Sequence, residues 1–98
     1  MERHLLAAEE LELFLRDLPE WSVAGDLLTR TYQFADFVRA FTFMSAVAMH
    51  CERLNHHPEW SNVYGRVEVR LTTHDLGGVT SLDTALARIM EELSLIHI

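Results

Sequence analysis

DFVRAFTFMSAVAMHCERL, residues 36–54, is the longest regular segment of the 98-residue chain, and the other elements must arrange themselves around it. Asp36 is suited to cap a helix, because its short carboxylate can accept from the free N–H groups of a first turn. Phe37, Val38, Ala40, Phe41, Phe43, Met44, Ala46, Val47, Ala48, Met49, Cys51 and Leu54 cover nearly the whole circumference of that helix. A helix apolar nearly all round is buried on more than one side. One side can face the chain's own sheet. The other predicts a partner, most simply a second copy, with Phe43, Met44 and Val47 expected at that contact.

On either side of this helix the period changes from helical to alternating. Upstream, Trp21–Ala24 and Leu27–Phe34 read as two strands turning at Gly25-Asp26, with Leu28, Arg30, Tyr32 and Phe34 on one face. Downstream, Trp60–Tyr64 and Arg66–Thr73 read as a second hairpin turning at Gly65, where Val67, Val69 and Leu71 alternate with Glu68, Arg70 and Thr72. Residues 7–18 carry Leu11, Phe14, Leu15 and Leu18 at helical spacing, and Pro19 stops that helix. Residues 75–79 read as a loop. Thr80 and Asp83 resemble a capping box, and the helix after them carries a one-sided stripe of Leu82, Ala85, Leu86, Ile89, Met90 and Leu93. The expected fold is a single α+β domain spanning residues 1–98, in the order α-β-β-α-β-β-α. A four-stranded antiparallel sheet would carry the three helices on one face. Its open edge strands are a second reason to expect self-association.

Composition removes several function classes. Apolar residues make up 49% of the chain and charged residues 23%, which is globular composition. The formal charge of −7 repels a phosphate backbone, so no nucleic-acid partner is expected. No apolar run reaches the ~20 residues of a membrane span. Met1-Glu2-Arg3-His4 lacks the basic-then-apolar order of a secretory leader, so a cytoplasmic location is expected. Cys51 is the sole cysteine and reads as a small buried apolar residue, incapable of an internal disulfide or a multi-cysteine metal site.

Histidine is the exceptional residue, with six copies at 4, 50, 56, 57, 74 and 97. His4, His50 and His97 read as ordinary surface residues. His56 and His57 fall just past the long helix, before Pro58, and His74 falls just past the last strand. Pairing about Gly65 returns His74 toward Pro58-Glu59, so three imidazoles are expected to converge at one end of the sheet. Imidazole is the side chain suited to giving and taking protons near neutral pH. Adjacent histidines seldom aim both rings at one ion, and no His-Glu-x-x-His helix is present, so metal-free acid–base chemistry is preferred to a metal site. Trp60 is expected to line a pocket and Tyr64 to be a strand core aromatic. Asp83 reads as a helix cap. Glu52 reads either as a solvated helix charge or as a carboxylate steadying His56 four residues on. No nucleophile motif or phosphate-binding glycine loop is present.

These residues carry a resemblance. Glu52-x-x-x-His56-His57-Pro58-x-Trp60-x-Asn62-x-Tyr64, Leu71-x-Thr73-His74 and Gly78-x-Thr80-x-x-Asp83 are similar to the pattern of the pterin-4a-carbinolamine dehydratases. Upstream, Trp21, Arg30, Tyr32-x-Phe34-x-Asp36-Phe37 and Ala40-Phe41-x-Phe43-Met44 also fit, so the likeness runs from about Leu11 to Leu93. Gly65 stands where the family often has Asn, a difference the turn is expected to tolerate, and the apolar close Leu93–Ile98 is unlike the family's usual end. The resemblance implies dehydration of 4a-hydroxytetrahydropterin to the quinonoid dihydropterin, recycling the cofactor of aromatic amino acid hydroxylases, with no cofactor or metal of its own. It implies that His56 and His74 are the acid/base pair, that His57 chiefly holds the pterin and that Glu52 sets the local charge. Pro58, Thr73, Asp75 and Leu76 would form the pocket wall, with Trp60 beside them. It also implies homodimers or homotetramers, the latter through the long helix. The alternative expectation is a non-enzymatic interaction module acting through that same helix.

Overall fold

The computed structural model describes residues 3–97, and of His97 the backbone only. Readings that fall on Met1, Glu2, the His97 side chain and Ile98 lie outside the described residues. The element order is α1 (Ala8–Asp17), β1 (Ser22–Ala24), β2 (Leu27–Gln33), α2 (Phe37–Leu54), β3 (Glu59–Val63), β4 (Arg66–Leu71) and α3 (Ser81–His97), with a short 3-10 turn at His74–Leu76. The four strands form one antiparallel sheet in the order β1-β2-β4-β3. The two hairpins are therefore joined through β2 and β4, where Leu28 faces Leu71, Arg30 faces Val69 and Tyr32 faces Val67. That register puts the apolar residues of both central strands on one sheet face, which the helices cover. The expected α+β order holds.

The core is built by alternation on the sheet and by a helical stripe above it. Leu28, Tyr32 and Phe34 of the first hairpin and Val67, Val69 and Leu71 of β4 are all buried. From α2 come Ala40, Phe43, Val47 and Cys51, whose spacing of three and four residues keeps them on one face. Phe43 packs 4.9 Å, centroid to centroid, from both Tyr32 and Phe34. From α3 come Leu82, Leu86, Ala87 and Met90. This corrects the expected self-association residues. Phe43 and Val47 lie inside the monomer and Met44 is half-buried against the core. Phe37, Val38, Phe41 and Met49 are the exposed apolar residues of α2, with Val38 70% and Met49 77% accessible. Burying a Phe of this kind is worth roughly 3–5 kcal/mol against Ala, so Phe43 is a fold residue and not a contact residue.

The downstream turn also differs from expectation. Tyr64, at φ 51°, takes the left-handed conformation and projects its ring into solvent, so it is not a core aromatic. Gly65 is needed for a different reason from the turn dihedral. A Cβ there would lie 2.4 Å from the Phe34 carbonyl oxygen, across the backbone bond Phe34 N–H to Gly65 O of 2.7 Å. No side chain fits that approach without moving β2, so the Gly65 position tolerates Asn less well than the turn alone suggests.

One polar knot ties the sheet to α3. A single oxygen of Glu91, Oε1, accepts from Trp21 Nε1 at 2.9 Å, Arg30 Nε at 3.0 Å and Tyr32 Oη at 2.7 Å. Partial burial pushes the Glu91 carboxyl up, but the bonds from Tyr32, Arg30 and Trp21 together hold it below the ordinary glutamate value of 4.5. A carboxyl with a depressed folded-state value stabilises the fold above the unfolded value and loses that contribution as pH falls through the folded one. The expected outcome is that Glu91→Gln flattens the fall of unfolding free energy below about pH 4.5 relative to the parent protein. Urea titrations at several acidic pH values check this, and parallel curves for the two proteins would contradict it.

Candidate active site

The site begins where α2 ends. Asn55 adopts the left-handed conformation at φ 52°, and its N–H reaches Glu52 O while His56 N–H reaches Cys51 O at 3.0 Å. This is the Schellman way of closing a helix, which reverses the chain in one residue. Consecutive side chains after the reversal then point to different places. His56 turns inward and is only 10% accessible, and His57 turns outward.

His56 is met by α3. Its Nε2 lies 2.5 Å from Asp83 Oδ1, and the Asp83 side chain is completely buried. The other carboxylate oxygen, Oδ2, accepts from Thr80 N–H at 2.8 Å and from Thr73 Oγ1 at 2.9 Å. Thr73 and Thr80 hydroxyls are 2.7 Å apart, so a chain of donors runs from Thr80 through Thr73 to Asp83. Asp83 is thus a helix cap, as its position three residues after Thr80 predicts, and also the partner of an imidazole 27 residues earlier. With the carboxylate as acceptor, His56 donates from Nε2, and in the neutral ring its Nδ1 carries no hydrogen.

The other two imidazoles at this end each meet one carboxylate. His57 Nε2 lies 2.9 Å from Glu52 Oε2, and His74 Nε2 lies 2.9 Å from Glu59 Oε1. Glu52 therefore steadies His57 and not His56, because the reversal at Asn55 breaks the four-residue helical relation on which the expectation rested. His74 sits on the 3-10 turn after β4 and is 79% accessible. That turn is pinned by the N-terminal arm. Leu6 N–H bonds Val79 O, Ser81 N–H bonds His4 O, and Arg3 pairs with Asp75 at 2.8 Å. The Arg3 bond, foremost, holds the Asp75 carboxyl below the usual aspartate range.

His56, His57 and His74 share one open cleft of about 750 Å³, lined also by Arg3, Arg53, Leu54, Asn55, Thr72, Thr73, Asp75 and Leu82. The expected convergence of three rings is what the topology produces. Thr73 and Asp75 lie on the cleft wall as expected. Pro58, Trp60, Leu76 and Glu52 do not line it, and Trp60 packs half-buried against the core. Sequence reasoning passed over Arg3, Arg53, Asn55 and Thr72, and took Asp83 for a cap alone. Thr72 Oγ1 is buried and has no hydrogen-bond partner among the described residues. Among those residues no group of three or more His, Cys, Asp or Glu is placed to hold a metal ion, and no helix is long and apolar enough to cross a membrane.

A buried carboxylate holds an imidazole at the edge of an open cleft, with two more imidazoles on its rim. The family profile described as "Pterin 4 alpha carbinolamine dehydratase" matches residues 4–93, and the chain belongs to that family. A curated relative from Prochlorococcus marinus (strain MIT 9515), named "Putative pterin-4-alpha-carbinolamine dehydratase", is 45% identical over 93 residues, covering 95% of this chain and 97% of its own. One of the same name from Synechococcus sp. (strain WH7803) is 51% identical over 89 residues, covering 91% and 96%. The crystal structure of a transcriptional coactivator/pterin dehydratase from Brucella melitensis superposes with a TM-score of 0.89 at 42% identity, over 93% of this chain and 99% of that one. A pterin dehydratase-like protein identified as a RuBisCO assembly factor in the alpha-carboxysome shares the fold, with a TM-score of 0.62 at 20% identity over 76% of this chain and 86% of that one.

Replacing Asp83 by Asn keeps the size of the side chain but puts an amide N–H₂ in competition with donors already present. The expected cost is about 1–3 kcal/mol of folding stability, from buried donors of His56, Thr73 and Thr80 that lose an acceptor. Urea denaturation measures it, and an unchanged midpoint would contradict the role given to this carboxylate.

Proposed function

We propose that this chain dehydrates pterin-4a-carbinolamine to the quinonoid dihydropterin by acid–base catalysis from its histidines, without a metal. The single observation that carries the reading is the buried His56–Asp83 pair in a cleft shared with His57 and His74. Family membership supports the dehydratase chemistry. In the reaction the C4a–O bond breaks, the hydroxyl leaves as water after receiving a proton, and N5 gives up its proton as the C4a=N5 bond forms. One group must give a proton and another must take one, each contribution being typically ~10²–10⁴-fold.

In this reading His56 and His74 are the acid/base pair, in either assignment. Asp83 acts through His56 as a positioning residue, fixing its ring and leaving one nitrogen for proton transfer. His57, steadied by Glu52, holds the pterin. Thr73 and Asp75 form the wall, with Pro58, Trp60 and Leu76 supporting the segments that carry the histidines. The product returns to aromatic amino acid hydroxylases after reduction, in the cytoplasm. The exposed apolar face of α2, at Phe37, Val38, Phe41 and Met49, supports self-association into dimers or tetramers.

His56→Ala and His74→Ala are each expected to lower kcat by ~10²-fold or more while the fold is kept, and the double variant to leave only the spontaneous rate. His57→Ala is expected chiefly to raise KM. The assay follows quinonoid dihydropterin formation from freshly generated carbinolamine. Unchanged kcat in both single variants would remove these rings from the chemistry.

A further inference from the structure

The cleft holds a cation that the dehydration chemistry does not use. Every basic residue of this chain is an arginine, and six of the eight pair with a carboxylate. Arg53 and Arg70 have no such partner among the described residues, although the chain carries 15 acidic residues, and of the two it is Arg53 that lines the cleft. Its one hydrogen bond among the described residues is from Nη2 to His50 Nδ1 at 3.1 Å, which leaves most of its five donors unspent. It stands on the last turn of α2 and lines the same cleft as the three histidines. The helix C-terminus, with its partial negative charge, accounts for a cation at this position. It does not account for a guanidinium on the wall of a ligand-sized cleft with no carboxylate partner among the described residues.

The chain is acidic overall, at −7, yet the formal charges on the cleft lining are Arg3, Arg53 and Asp75, and Arg3 and Asp75 cancel each other. Asp83, Glu52 and Glu59 each pair with one of the three imidazoles, so Arg53 is the formal charge of the wall that has no carboxylate partner among the described residues. A neutral pterin ring presents carbonyl, amide and amino groups but no anion to meet it. A guanidinium is the side chain best shaped for a carboxylate or phosphate, which it grips through two parallel N–H bonds.

We infer that the cleft takes a pterin whose ring substituent carries an oxyanion, read by Arg53. This rests on the pterin reading of the site. The shared chemistry is a carboxylate or phosphate group on the substituent, which a guanidinium grips through paired N–H bonds.

The test uses the whole protein and three stable fluorescent pterins: neopterin, which is uncharged on its side chain, neopterin 3′-monophosphate and pterin-6-carboxylate. Dissociation constants are measured for the parent, Arg53→Gln and Arg53→Lys. The parent is expected to bind at least one charged probe ~10-fold more tightly than neopterin at ~20 mM salt, with the preference shrinking at ~0.5 M. Arg53→Gln is expected to bring the ratio to about 1, and Arg53→Lys to restore part of it. Which charged probe gains tells phosphate from carboxylate. A parent protein without preference, or a preference that survives Arg53→Gln, overturns the inference and leaves the dehydratase reading standing. Failure of the parent to bind any of the three overturns both.

Discussion

The Asp83 carboxylate has no contact with solvent and four polar neighbours, and that constraint shapes the end of the molecule that bears the cleft. An ionised carboxylate with no access to water is costly unless donors surround it. Here the donors come from three separate parts of the chain: Thr80 at the start of α3, Thr73 at the end of the β4 hairpin, and His56 beyond the end of α2. Meeting the electrostatic demand of one side chain therefore docks the last helix, fixes the turn that bears His74, and orients His56.

The arrangement also divides the imidazoles by environment. His56 is nearly buried and held by a buried acid, and His57 and His74 are on the rim, each beside an exposed glutamate. Exposed ion pairs contribute little to stability, with a median of about 0–1 kcal/mol. The two outer rings are therefore held by weak exposed pairs, and the inner ring by a buried partner.

Much of this was legible in the sequence, and the exceptions have physical reasons. The strands followed from period-two alternation, and the return of His74 toward Pro58 followed from the hairpin. The inward stripe of α2 did not, because both Phe43 and Val47 on one side and Phe37, Phe41 and Met49 on the other are apolar, and periodicity cannot choose between two apolar stripes. The Glu52 partner was misread because four-residue spacing assumes a continuous helix, and Asn55 reverses the chain before His56. The pairing of His56 with Asp83 depends on how α3 docks, a fact of tertiary structure that no local pattern contains. Thr80-x-x-Asp83 announced a cap, and one carboxylate oxygen makes it. The second oxygen was the part that could not be read.

The most direct measurement of the central claim is the tautomer of His56, read from ¹⁵N chemical shifts of the imidazoles in solution at a pH that leaves the rings neutral. Donation to Asp83 requires the hydrogen on Nε2 and a bare Nδ1, with the Nε2 proton shifted downfield by its carboxylate partner. A His56 ring carrying its hydrogen on Nδ1, with Nε2 unprotonated beside Asp83, would contradict the account.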